Sequence, residues 1–218
     1  PRSGYSHAIT GVLPMQLQKI KDEEGLQVYA CSGTPSDCIK LALDRLVKRQ
    51  PNLIIGGVNH GDNSSVNAHY SGTVGIDEEG ALQGIPAIAL SLCDTRWDAD
   101  FTPLVPYYKS LIAWALARQW KPFTCLNINF PNTPTFKGIR AARMAKARWV
   151  EEIEDCPRKQ RTGNYYWLGG KREELEAQAT DTDYYLLSNG YIAITPLELD
   201  NTAYDLLDAL STEDIMPK

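Results

Sequence analysis

Residues 85–91 (IPAIALS) constrain the fold of this chain more than any other stretch. A run of strand length with no polar–apolar alternation has to be covered on both faces, which is the habit of a strand inside a parallel sheet. Residues 53–57 (LIIGG) read as a buried strand too, and residues 123–130 (FTCLNINF) as a further strand ending at Pro131. Helical patterns separate these strands. One begins after Thr34, which fits an N-cap with Pro35 at the first position and Asp37 at the capping-box position. Its apolar positions Cys38, Ile39, Ala42, Leu43, Leu46 and Val47 have helical spacing, and it is expected to end near Gln50-Pro51. A second follows Ser71 and stops at Gly84, with Asp77, Glu78 and Glu79 expected on its solvated side. A third spans residues 102–120, with apolar positions from Leu104 to Leu116 and Pro106 in its first turn. The alternation over residues 34–131 predicts an α/β domain with a parallel sheet and right-handed crossovers.

The flanks differ. Residues 15–20 and 26–31 alternate about a charged turn ending in Gly25 and predict a hairpin. Residues 136–200 lose the helix–strand alternation and read as a hairpin-rich appendage, a lid or an oligomer arm. Its aromatics Trp149, Tyr165, Tyr166 and Trp167 have two readings, stacking on a base or packing a dimer contact, and the second is the commoner use. Asn189-Gly190 marks a turn before a strand at 191–195. A last helix is expected at 202–210, capped by Thr202.

Composition excludes some classes. The 218 residues carry a net charge of −5, which gives no electrostatic case for a nucleic-acid polymer or an anionic membrane. No window reaches the length and apolarity of a membrane span. Of five cysteines, Cys31, Cys38, Cys93 and Cys125 lie in apolar patterns and read as buried free thiols in a reducing, cytoplasmic setting.

The chemistry concentrates at residues 53–74 (LIIGGVNHGDNSSVNAHYSGTV). An apolar strand gives way to a polar loop, and the loop to a helix N-terminus. That is where an open α/β sheet receives an anion, although an ordinary surface loop is the competing reading. Ser71, Gly72 and Thr73 offer two hydroxyls, close approach and the first free amides of a helix, which suits a phosphate. Asn59 and Asn63 are neutral oxygen donors, which complete a hard-cation shell only with carboxylates from elsewhere; Asp62 is nearby. His60 and His69 are candidate acid/base groups, and each has an orienting or packing role as its alternative. No GKS or GKT follows a glycine run, and no GxGxxG follows a strand, so neither a P-loop nor a dinucleotide oxidoreductase is indicated.

Residues 28–43 (VYACSGTPSDCIKLAL) and 51–91, with Arg2-Ser3-Gly4, Asn127-Ile128-Asn129-Phe130-Pro131 and 190–196 (GYIAITP), resemble the SurE survival-protein family, its bacterial branch above all. The resemblance implies a Rossmann-like three-layer α/β/α sandwich with a β-hairpin-rich extension. The chain then divides into a core at 1–131, an arm at 132–200 that returns to the core, and a C-terminal helix and tail at 201–218. The implied activity is hydrolysis of nucleoside 5′- and 3′-monophosphates with one Mg²⁺ or Mn²⁺ per subunit, in a homodimer or tetramer. The family holds its cation with an Asp-Asp pair after the first strand, the serine of RSG and the first asparagine of GxNxGxN. Ser3 and Asn59 match the last two. Asn63, Ser71, Gly72 and Thr73 match the residues around the phosphate, and His60 is the open candidate for leaving-group acid.

The chain opens at the RSG, without the Asp-Asp pair. A preceding βα unit of roughly 30 residues is therefore expected in the whole protein. A molecule lacking it is expected to bind no metal, to hydrolyse nothing and to expose a sheet edge. The rival from another class is a nucleotide- or phosphate-binding module without catalysis.

Overall fold

The computed structural model describes residues 3–156 and 163–213. The N-terminal hairpin forms as expected, β1 (Leu17–Glu23) pairing antiparallel with β2 (Leu26–Cys31). Helix α1 (Pro35–Leu41) starts on a complete capping box: Thr34 Oγ1 accepts from the Asp37 amide, and the Asp37 carboxylate accepts from the Thr34 amide. A π-helical turn, Ala42–Leu46, continues it, and the chain turns extended at Val47, short of Gln50-Pro51.

The central sheet is built on β3 (Ile54–His60), β4 (Ala87–Leu92) and β5 (Thr124–Phe130), all parallel. Between them run α2 (Gly72–Leu82) and α3 (Val105–Ala117). Residue parity on the strands explains the layers. Ile88, Leu90 and Leu92 of β4 and Leu126, Ile128 and Phe130 of β5 pack with Leu104, Leu111 and Ala115 around α3. On the other face, Ala87 and Cys125 pack with Ile54 of β3 and Ala81 of α2, with Ile39 of α1 and Leu43 of the π-helical turn behind them. The sheet is therefore sandwiched, α1 and α2 on one face and α3 on the other. Small residues let α2 come close: a Cβ on Gly56 would stand 2.6 Å from the Thr73 carbonyl oxygen, and one on Gly80 2.9 Å from Ala87 Cβ.

That close packing corrects one expectation. Asp77 and Glu79 are not on a solvated face; both are buried, because α2 is wedged between α1 and the sheet. Glu79 is met there by Lys40 at 2.8 Å, His7 at 3.0 Å and Gln83 at 3.1 Å. Gly84, at φ +70°, ends the segment as the sequence indicated.

Beyond β5 come β6 (Ile139–Ala141), β7 (Ala147–Val150), β8 (Ile153–Asp155), β9 (Tyr166–Leu168) and β10 (Lys171–Glu174). Strands β7 and β10 form one antiparallel pair, β8 and β9 another. Helix α4 (Asp183–Ser188) is absent from the sequence reading, and Asn189-Gly190 closes this helix before β11 (Ile192–Glu198). Strand β11 pairs antiparallel with β5 and parallel with β6, so the five-stranded sheet runs β3-β4-β5-β11-β6 and is mixed rather than purely parallel. Helix α5 (Tyr204–Leu210) is preceded by Ala203, not by a Thr202 cap. The Thr202 amide instead donates to Asp200 Oδ1 at 3.0 Å. All five cysteines are free, but only Cys125 is buried; Cys31, Cys38, Cys93 and Cys156 are partly exposed. Among the described residues, no helix is long and apolar enough to cross a membrane.

Candidate active site

A cavity of about 730 Å³ opens at the C-terminal end of β3. Asn59, His60, Gly61, Asp62, Asn63 and Ser71 line one side, and Trp149, Glu152, Leu168, Gly169 and Gly170 of the arm line the other. Strand β3 runs further than the sequence suggested. It passes through a bulge at Gly57, so that Asn59 and His60 are strand residues opposite Ser91 and Leu92 of β4. Gly57 makes the bulge feasible: it has φ +100°, and a Cβ there would lie 2.3 Å from the Leu90 carbonyl oxygen.

Each predicted residue can now be placed. Asn59 is partly buried and donates through Nδ2 to the Gly61 carbonyl at 3.0 Å. Asn63 is buried and fixed from three sides. Its amide donates to Asn129 Oδ1 at 2.8 Å, its Nδ2 to Ser91 Oγ at 2.6 Å, and its carbonyl accepts from Asn127 Nδ2 at 2.6 Å. Ser71 is the N-cap of α2, its Oγ accepting from the Val74 amide at 3.1 Å. Gly72 and Thr73 form the buried first turn of that helix and do not line the cavity wall. The imidazole of His60 is edge-on to Phe101, with ring centroids 4.8 Å apart, and its Nδ1 lies 3.2 Å from the Arg96 carbonyl oxygen. Ser3 belongs to a 3-10 turn, Ser3–Tyr5; its side chain lies outside the described residues, while the neighbouring Gly4 lines the cavity. The structure therefore gathers Asn59, His60, Asn63 and Ser71 around one space.

Three residues that position the site were missed: Ser91, Asn127 and Asn129, all buried. They occupy the α2 face of β4 and β5 at the strand ends nearest the loop, while their neighbours in sequence face α3. The signal was present in LNINF, where polar residues alternate with apolar ones inside a core strand. A buried amide needs partners, and here the partners are one another and Asn63.

Asp62 is the other organiser. Its Oδ1 accepts from the Ser64 amide at 3.1 Å, Ser64 Oγ at 2.6 Å, Asn67 Nδ2 at 3.1 Å and Arg172 Nη1 at 3.2 Å. Arg172 comes from β10, and its guanidinium lies 4.0 Å from the Tyr184 ring centroid. The buried carboxylate of Asp183 accepts from the amides of Ser65, Ala145 and Tyr184 at 2.7–3.0 Å. Burial pushes its pKa up, and those amides oppose the rise. Polar contacts thus tie the arm to the loop between β3 and α2.

A family model described as "Survival protein SurE" matches residues 1–151. The chain belongs to the SurE family. It is 50% identical to a 5′-nucleotidase SurE of Bacteroides thetaiotaomicron over 211 residues, covering 97% of this chain and 81% of that protein. A 5′-nucleotidase SurE of Bacteroides fragilis is 47% identical over 215 residues, covering 99% of this chain and 84% of its own length. The crystal structure of a SurE protein from Aquifex aeolicus superposes with a TM-score of 0.77 at 31% identity, covering 96% of this chain and 83% of that one. The sandwich described above is accordingly the SurE fold, Rossmann-like with three layers. In SurE terms, the cavity lies at the strand ends where open α/β sheets bind ligands.

Proposed function

We propose that this chain hydrolyses nucleoside 5′-monophosphates, and 3′-monophosphates, to nucleoside and phosphate. Near-full-length similarity to proteins named 5′-nucleotidase SurE carries the reading. The cavity supports it, because Asn59, Asn63 and Ser71 line a space large enough for a nucleotide, with the first turn of α2 behind them.

In this reading Asn63 binds the phosphoryl oxygens, and the N-terminus of α2, whose first-turn residues Gly72 and Thr73 lie behind Ser71, adds the helix dipole that stabilises the charge developing on them. The clamp of Ser91, Asn127 and Asn129 fixes Asn63 beforehand, so little reorganisation is needed when substrate arrives. Ser71 holds the helix end in place, and His60 faces the same space as a proton donor for the leaving group.

The family resemblance implies one divalent cation, Mg²⁺ or Mn²⁺, which when bound polarises the phosphate and the attacking water. Of the described residues, Asn59 offers a neutral amide oxygen. No group of three or more His, Cys, Asp or Glu side chains among them could hold a metal, so they do not by themselves fit a hard cation. No step is therefore routed through it. Homodimeric or tetrameric assembly and a cytoplasmic setting, where free thiols persist, belong to the same proposal.

The test is phosphate release from 5′-AMP and from a generic phosphomonoester, with and without Mn²⁺. Steady release identifies an enzyme, and binding without release identifies a nucleotide-binding module. Asn59→Ala is expected to cut metal-dependent turnover by at least about tenfold, the scale of losing one positioned polar group, with little change in melting temperature. Full metal-dependent activity in that variant would remove Asn59 from the site.

A further inference from the structure

The cavity has two unlike ends. Around Asn63 and Ser71 it is polar and rigid. Across from them it is walled by Trp149, Leu168, Gly169 and Gly170 of the arm, with Tyr70 at the edge. A phosphate fills only the first end. At about 730 Å³ the space matches what a whole small ligand occupies.

Trp149 is the fixed part of the second end. It sits on β7, half-buried, and its Nε1–H donates to Asn67 Oδ1 at 3.0 Å. Asn67 is oriented in turn by its own donation to Asp62 Oδ1 at 3.1 Å. The indole is thus held by the loop that also carries Asn63, and its placement relative to the polar end is set by hydrogen bonds rather than by arm contacts alone. Tyr70 and Leu168 present 55% and 79% of their surface to water beside it, apolar area at a cavity rim that a flat ligand would cover. Gly170, at φ +106°, keeps the wall free of a further side chain; a Cβ there would meet the Val150 carbonyl oxygen at 2.7 Å. The other arm aromatics, Tyr165, Tyr166 and Trp167, do not line this space.

We infer that Trp149 is the specificity-determining residue against which the substrate's nucleobase packs, so that the arm selects nucleotides over simpler phosphate esters. The assignment rests on the nucleotidase reading given above. Every base has a π-face, so a single indole tolerates different bases while rejecting esters that have none.

The experiment measures binding by calorimetry and hydrolysis for 5′-AMP and ribose 5-phosphate, which share the phosphate and the sugar but not the base. The wild-type protein is expected to bind 5′-AMP about tenfold tighter than ribose 5-phosphate, the scale of one base–aromatic stack. Trp149→Ala is expected to remove most of that ratio, acting on affinity and KM more than on kcat, and Trp149→Phe to restore most of it. An equal loss for both ligands in Trp149→Ala, or a Trp149→Phe protein no more selective than Trp149→Ala, overturns the assignment. The wild-type comparison decides even if the alanine variant does not fold. If 5′-AMP is hydrolysed but bound no tighter than ribose 5-phosphate, Trp149 loses its role while the nucleotidase reading stands. If the wild-type protein neither binds nor hydrolyses either ester, the nucleotidase reading fails and this assignment with it.

Discussion

Asp77 lies fully buried on α2, and neither carboxylate oxygen makes a well-formed hydrogen bond among the described residues. Burial and the neighbouring Glu78 push its pKa well above the ordinary carboxylate value; the backbone amides of Gly56 and Ala89 oppose the shift. The folded state therefore binds this proton more tightly than the unfolded chain does. Stability from this group is fully present below about pH 4, the unfolded value, and is lost as pH rises toward the folded value. Asp77→Asn, which mimics the protonated acid, is expected to flatten the fall of melting temperature above pH 4 and to be the more stable protein at pH 7. Thermal melts at a series of pH values check this, and parallel curves for the two proteins would refute it. The sequence did not reveal this burial. Charged residues on a helix are usually solvated, and nothing local in GIDEEGAL says that α1 covers the face where Glu79 meets Lys40. Asn127 and Asn129 were hidden for the opposite reason: their strand reads as apolar, and only its alternation gives the site away.

At the level of elements, legibility follows the range of the determining contacts. The capping box at Thr34, the stop at Gly84 and the buried runs of β4 and β5 are encoded within a few residues, and all form as read. Thr34 has a second role that spacing does not show, because its Oγ1 also donates to the Ala8 carbonyl at 2.7 Å and fastens the N-terminal segment to α1. Thr34→Ala is expected to cost about 1–2 kcal/mol, the loss of an N-cap and one further hydrogen bond, measured as a lower urea midpoint with an unchanged m-value. A midpoint within experimental error of wild type would contradict the double role. Helix α4 was missed because its six residues are too few for a helical period to show. The link from Arg172 to Asp62 spans 110 residues and has no sequence signature at all.

For the molecule as a whole, the strand–helix alternation was enough to give an α/β domain with parallel strands, the family resemblance added the three-layer sandwich, and the polar loop was enough to locate the cavity. The mixed sheet and the arm's grip on the loop required the three-dimensional structure, since both depend on where β11, β10 and β7 return. Those returns leave the cavity with two mechanically unlike walls. One is the end of β3 and the loop after it, braced through Asn63 by Ser91 of β4 and by Asn127 and Asn129 of β5, two strands buried almost throughout and hydrogen-bonded on both sides. The other stands on two-stranded ribbons, one of which, β8 with β9, is exposed along its whole length. Amide hydrogens of β4 are expected to exchange with deuterium only through global unfolding, and those of β8 and β9 through local opening. Mass spectrometry after timed labelling checks the contrast, and equal exchange in the two regions would contradict it. A ligand that spans the cavity can add little protection to the strands behind Asn63, which are already closed. Its footprint in a labelling experiment is therefore one-sided: slowed exchange appears on the ribbons, and the sheet that carries Asn63's clamp stays silent.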